Sequence, residues 1–205
     1  GLYTIPRYSY VLTKGIPFSF NEDITFIKTN TGIESLNELA QQKLLFQGSY
    51  EEYPIYTAAG DENEIVILDT RGQDVDHFNI DVYVKSKLNG SWEQFTKSPN
   101  LFLENGSAKK CEIRINPSKR YEIKFGNGIN GIKLETGDQV AIYYLASDGS
   151  KGVVGSNAFD ENKTEANTLN KGKPTIKYFK LRMVEKIFFP KKKLIPIIKK
   201  NEQIK

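Results

Sequence analysis

The chain is poor in the residues that most enzymes and metal proteins draw on. Its 205 residues include one cysteine, one histidine, one methionine and one tryptophan. The single cysteine, Cys111, excludes an internal disulfide and implies no oxidising compartment. One histidine, His77, and one cysteine cannot by themselves assemble an ordinary His/Cys zinc site. Asp74 and Asp76 lie beside His77 in "RGQDVDHFNI", but the stretch reads as a solvated loop entering a strand. Cys111 sits in "AKKCEIRIN", a strand pattern that places its thiol buried or half-buried. No metal, cofactor or catalytic residue is assigned from this set.

Long apolar runs are missing too. None approaches the roughly 18 residues of a membrane span, and no charged start is followed by an apolar signal core. The chain opens on Gly1 rather than Met, as a fragment or processed product does. The net charge of +4 hides an asymmetry. Residues 171–205 hold twelve Lys/Arg and two Glu, whereas residues 1–170 hold 17 Lys/Arg and 23 Asp/Glu. The body is mildly acidic and the tail strongly basic, so the whole-chain charge does not mark a nucleic-acid-binding fold.

What is present is strand material. Hydrophobic residues make up 39% of the chain, with 11 Tyr and 12 Phe, enough to fill a core and biased toward sheets. "GIPFSF" and "DITFIKTNTG" read as short strands, and "IESLNELAQQ" as a short helix from the spacing of Leu36, Leu39 and Ala40. "KLLFQGSYEEYPIYTA" is strand-rich with a bend at Gly48, and "NEIVILD" is a compact buried strand. In "FNIDVYVKS", Ile80, Val82 and Val84 alternate with Asp81, Tyr83 and Lys85, the period of a sheet. "SWEQF", "CEIRIN", "RYEIKF" and "DQVAIYYLAS" follow, separated by Asn-Gly steps at 89–90, 105–106, 127–128 and 130–131. Asn-Gly supplies the positive φ of tight hairpin turns.

The expectation is a mainly β chain: an antiparallel β-sandwich or barrel-like fold with one or two short helices and an extended C-terminal arm. Residues 1–70 read as an N-terminal β-rich subdomain and 71–148 as a hairpin-rich one. Residues 149–174 read as a loop or arm, and 175–205 as a basic tail. In that tail Ile176, Phe179, Met183 and Ile187 have helical spacing, limited by Pro190 and Pro196. The tail reads as a solvated segment or as an arm that folds on a partner. Phe188, Phe189, Leu194 and Ile195 interleave with lysines as in a membrane or nucleic-acid contact, which is the less favoured reading.

"GNGING", Gly126–Gly131, matches the G-x-G-x-x-G of nucleotide-binding loops letter for letter, with Asp148 twenty residues after Gly128. A dinucleotide fold needs a helix opening at the third glycine. Only five residues separate Gly131 from Gly137, and Gly137–Asp138 is a turn, so no crossover helix fits. A kinase loop would be followed by V-A-I-K. Here the run is Val140–Ala141–Ile142–Tyr143, with a phenol where the phosphate-binding ammonium belongs, and neither H-R-D nor D-F-G occurs. The glycines read as backbone devices for positive φ in a tight, bulged hairpin connection.

With those residues in place, "YEIKFGNGINGIKLETGDQVAIYYLASDGSKG" resembles the J-like baseplate wedge protein family of contractile-tailed phages. The order and spacing are most similar to the large wedge subunit of T-even-type myophages. Phe125, Gly126, Asn127, Gly128 and Gly131 match the first half of the shared pattern; Gly137, Val140, Ile142, Tyr144 and Gly149 match the second. "LLFQGSYEEYPI" and "WEQF" resemble two further strands of that family, and the likeness covers roughly residues 5–157. It implies a virion structural protein of the tail baseplate, assembled in the host cytoplasm. Such a protein joins other wedge proteins and further copies of itself into a ring. It also implies no catalytic residues, no cofactor and no small-molecule substrate. A second reading is a carbohydrate-binding β-sandwich, with Tyr50, Tyr53, Tyr56 and Trp92 stacking on sugars; packing within the sheets accounts for the same residues more simply. A nucleotide-using enzyme is the third and weakest reading.

Overall fold

A computed structural model describes residues 2–13, 15–30, 32–35, 44–70 and 72–153. Among them the chain is mainly β, as its alternating aromatic and β-branched runs require. The described residues fall into two compact units: residues 51–146, and those of 1–50 together with 147–153.

The second of these is built from hairpins. β1 (Leu2–Ile5), β4 (Ile24–Thr29) and β5 (Gly32–Ser35) form one antiparallel sheet in the order β1-β4-β5. β2 (Tyr10–Thr13), β3 (Ile16–Ser19) and β6 (Phe46–Gln47) form another, in the order β2-β3-β6. The β2–β3 register sets Val11 opposite Phe18. Both bury, with Phe20, into a small core flanked by Ile5, Ile16, Ile24 and Leu45. The helix expected over "IESLNELAQQ" loses its start, because Ile33–Ser35 lie in β5. Its remainder falls outside the described residues, as do the tail and all but the first residues of the arm.

The unit 51–146 carries the larger sheet. Its strands are β7 (Ser49–Glu52), which enters from the other unit, β8 (Tyr56–Thr57), β9 (Ile65–Leu68), β10 (Asp74–Lys85), β11 (Trp92–Lys97), β12 (Lys110–Ile115), β13 (Tyr121–Lys124) and β14 (Gln139–Ser147). The order is β7-β14-β10-β11-β12-β13-β9, with β8 also on β14. The sheet curls into a half-barrel. Its core takes the alternate residues that period two selects: Ile80, Val82 and Val84 of β10, Val140, Ile142 and Tyr144 of β14, and Val66 and Leu68 of β9. Each such side chain contributes roughly 1.5–3 kcal/mol on burial. Tyr83 and Tyr143, on the opposite face, are buried as well and meet edge to face at 5.9 Å.

Four sequence expectations change. β10 starts at Asp74, so Asp74, Asp76 and His77 lie in a strand rather than a loop. β9 is not a wholly buried strand: it ends the sheet, and its Ile65 and Ile67 are exposed. The β11–β12 pair is parallel, with Thr96 opposite Lys110 and Lys97 opposite Cys111. A parallel pair needs a crossover of about a dozen residues, and residues 98–109 supply it; Asn105–Gly106 lies inside that crossover and turns no hairpin. "GNGING" turns none either, since β13 and β14 are not neighbours. Of the four Asn-Gly steps, Asn89–Gly90 joins paired antiparallel strands, with Gly90 at φ +67°.

Candidate functional site

The first half of the family resemblance, Phe125 to Gly131, follows the end of β13 and forms one loop, 126–131. Phe125 anchors it. The side chain is fully buried and meets Phe95 of β11 edge to face at 5.9 Å. The loop then closes on itself. The Gly126 N–H donates to the Ile132 carbonyl (3.2 Å) and the Gly128 N–H to the Gly131 carbonyl (3.0 Å). The Asn127 side-chain oxygen accepts from the N–H groups of Ile129 (3.0 Å) and Asn130 (2.8 Å). Gly131 donates outward to the Asn105 carbonyl (3.0 Å), and Ile132 to the Ala108 carbonyl (3.0 Å).

The glycines permit this closure. Gly128 and Gly131 have φ of +87° and +77°, where other residues are strained. Gly126 is required by contact: a Cβ there would lie 2.1 Å from the Gly131 carbonyl oxygen. Gly106 of the β11–β12 crossover is pressed in the same way, its Cβ position 2.0 Å from the Gly128 carbonyl oxygen. The Asn-Gly at 105–106 and those at 127–131 therefore form one clasp, which pins the crossover to the end of β13.

This geometry bears directly on the phosphate-loop reading. A nucleotide loop presents free N–H groups to an anion. Here the amides of Ile129 and Asn130 point at the Asn127 carboxamide oxygen, which takes the place an anion's oxygen would occupy.

The second half of the motif leads away from the clasp. Gly137 has φ +94°. Its neighbour Asp138 is buried and accepts from the N–H groups of Lys87 (2.9 Å) and Glu135 (3.0 Å). Tyr144 is buried in β14, with its hydroxyl 3.4 Å from the Gln73 side-chain oxygen. Gly149, in the other unit, opens a single 3-10 turn over Gly149–Gly152. There Gln47, of the "QG" step, accepts from the Ser147 hydroxyl (2.6 Å) and the Asp148 N–H (3.2 Å). Gly152 leaves room for the Gln47 side chain.

The other candidate residues are engaged in packing. Cys111 is fully buried, and burial pushes its thiol up to about 12. His77 stacks on Tyr121 at 5.8 Å. Both Asp76 oxygens are taken, by the Phe78 N–H (2.8 Å) and the Asn79 side chain (3.0 Å). No cluster of three or more His, Cys, Asp or Glu with metal-binding geometry occurs among the described residues. Tyr53 and Tyr56 pack against the core with their hydroxyls bonded to the Ile67 carbonyl (3.2 Å) and the Glu64 carboxylate (2.7 Å). Tyr50 is buried against Tyr8, and Trp92 is half-buried with the Lys85 ammonium 6.0 Å from its ring centre.

Sequence reasoning missed Glu64. It is buried, and it accepts from the Tyr56 hydroxyl and from the N–H groups of Ala59 (2.7 Å) and Gly60 (3.1 Å). The carboxylate bond, with burial second, pushes the Tyr56 phenol up to about 12. Nothing in "GDENEIV" separates Glu64 from its acidic neighbours except its place just before a strand.

No family model, curated protein or solved structure matches the chain.

Proposed function

We propose that the chain is a structural module of a phage tail baseplate wedge. It joins wedge proteins and further copies of itself into a ring by protein–protein contact, and it acts in the virion. The observation that carries this reading is the clasp. The most specific motif in the sequence, Phe125 to Gly131, is engaged in holding two connections together, and its amides at 125, 126 and 128–131 donate to atoms of the loop, the crossover and neighbouring backbone. A motif so occupied supports a scaffold reading over a ligand-binding one. The ordered resemblance through Gly137, Tyr144 and Gly149 supplies the kind of scaffold.

Co-expression with contractile-tail wedge proteins tests the reading. It predicts a stable complex that survives purification. Specific assemblies bury upward of about 1,000 Å² in total, and a ring held by such contacts should persist through chromatography at working concentration. Tight binding of ATP or NAD, with no capture of tail proteins, would reverse the assignment.

A further inference from the structure

The half-barrel ends in an open edge. β9 closes the sheet order, and no strand among the described residues pairs with its outer side. The Glu64 carbonyl accepts the Phe125 N–H (2.9 Å), and Val66 lies opposite Ile123. The peptide groups of Glu64, Val66 and Leu68 therefore face β13, and those of Ile65 and Ile67 face away. The Tyr53 hydroxyl bonds the Ile67 carbonyl on that outer side, where the N–H of an added strand would bond. Ile65 and Ile67 remain 39% and 43% exposed. A sheet edge with exposed apolar residues pairs with other strands unless it is blocked; here the Tyr53 hydroxyl occupies the Ile67 carbonyl, and Glu64, just before the strand, holds Tyr56, Ala59 and Gly60.

Charge identifies what fits. Residues 51–70, which lead into and include β9, hold six acidic residues and no Lys or Arg. Lys124, opposite Ile65, is directed over the Phe102 ring at 5.4 Å. The complementary sequence lies in residues 171–205, with their twelve Lys/Arg. Within it, Phe179-Lys180-Leu181-Arg182-Met183 alternates apolar and basic residues at the period of a strand.

We propose that the outer edge of β9 takes up residues 177–185 of a second copy as an added strand. Main-chain bonds to Ile65 and Ile67 supply the affinity, as in other strand additions. The apolar positions of the segment suit the apolar edge, and its Lys and Arg suit the acidic stretch 51–70. Binding displaces the Tyr53 hydroxyl. The inference rests on the assembly reading above but fails separately from it.

The test is sedimentation velocity of the full chain over a wide concentration range, with hydrogen exchange at Ile65 and Ile67. Self-association should protect both amides, weaken with salt, and be competed by a synthetic peptide of residues 175–186. Ile67→Pro removes an outward N–H without touching the β13 ladder and should abolish association. Tyr53→Phe frees the Ile67 carbonyl and should tighten association several-fold. F179E/L181E, in the added segment itself, should abolish it with the half-barrel unaltered. Folded Ile67→Pro and F179E/L181E variants that associate like the parent would overturn the proposal. So would a parent chain that stays monomeric; if its two amides are nevertheless protected, the edge belongs to the chain's own tail. A chain that captures wedge proteins without this self-association keeps the assembly reading and loses the edge.

Discussion

At Gly126 the clasp has no room for a methyl group, because both the Gly131 carbonyl carbon and its oxygen lie within 2.2 Å of the Cβ position. Gly126→Ala must therefore push two backbone segments apart. It should lower the unfolding free energy by about 2–3 kcal/mol, as overpacking does, measured by urea denaturation. Gly90 offers the contrast: its φ is +67° but nothing lies within 4 Å of its Cβ position. Gly90→Ala meets only backbone strain and should lose about 1 kcal/mol. Asn127 is tested by what its oxygen accepts. Asn127→Ala leaves the Ile129 and Asn130 N–H groups without their partner and should lose about 1–2 kcal/mol. Asn127→Asp keeps an acceptor in place and should lie close to the parent. If Asn127→Ala were neutral while Asn127→Asp was destabilised, the loop would not be held as described.

At the scale of elements, two strands carry groups whose protons report the fold. Burial pushes the Cys111 thiol in β12 from 9.0 up to about 12. The bond to Glu64, then burial, pushes the Tyr56 phenol in β8 from 10.0 up to about 12. Both groups hold their proton more tightly when folded. Their contribution is complete below pH 9 and is lost as pH rises toward 12, because there the unfolded chain releases protons that the folded chain keeps. The melting temperature should fall across that alkaline window. Cys111→Ala should flatten the slope from pH 9.0 upward, and Tyr56→Phe only from pH 10.0 upward. A slope unchanged in both variants would contradict the burial of the thiol and the Tyr56–Glu64 bond.

The same elements show what was legible beforehand. β10 and β14 were, because Ile80, Val82 and Val84 and then Val140, Ile142 and Tyr144 repeat every second residue on the core side. The position of β9 was not: "IVIL" has the same letters in a central strand as at an edge, and only its pairing with β13 alone leaves the outward peptide groups of Ile65 and Ile67 without a neighbouring strand among the described residues. The parallel β11–β12 pair was hidden because Asn105–Gly106 has the letters of a hairpin turn. The β12–β13 hairpin turns without glycine, through Lys119 at φ +60° and the Asn116 side-chain oxygen on the Arg120 N–H (3.0 Å). In the clasp, the glycines were visible as backbone devices. Their partner Gly106 was not, since it comes from a connection twenty residues away.

For the whole molecule, the division into units follows long-range bonds that local patterns cannot show. Gln47 bonds Ser147 and Asp148, so residues 147–153 belong with the described part of the first fifty. The described body is rich in acidic residues and residues 171–205 in basic ones, and the amides of the 126–131 loop are engaged in internal hydrogen bonds. Both are in keeping with the assembly role proposed above. The most direct measurement is the solution mass of the purified full chain, alone and mixed with contractile-tail wedge proteins, by sedimentation velocity across a wide concentration range. The account predicts discrete, salt-sensitive species heavier than one chain, and larger ones when wedge proteins are added. A single species of 23.3 kDa at every concentration, unchanged by any wedge protein, would contradict it.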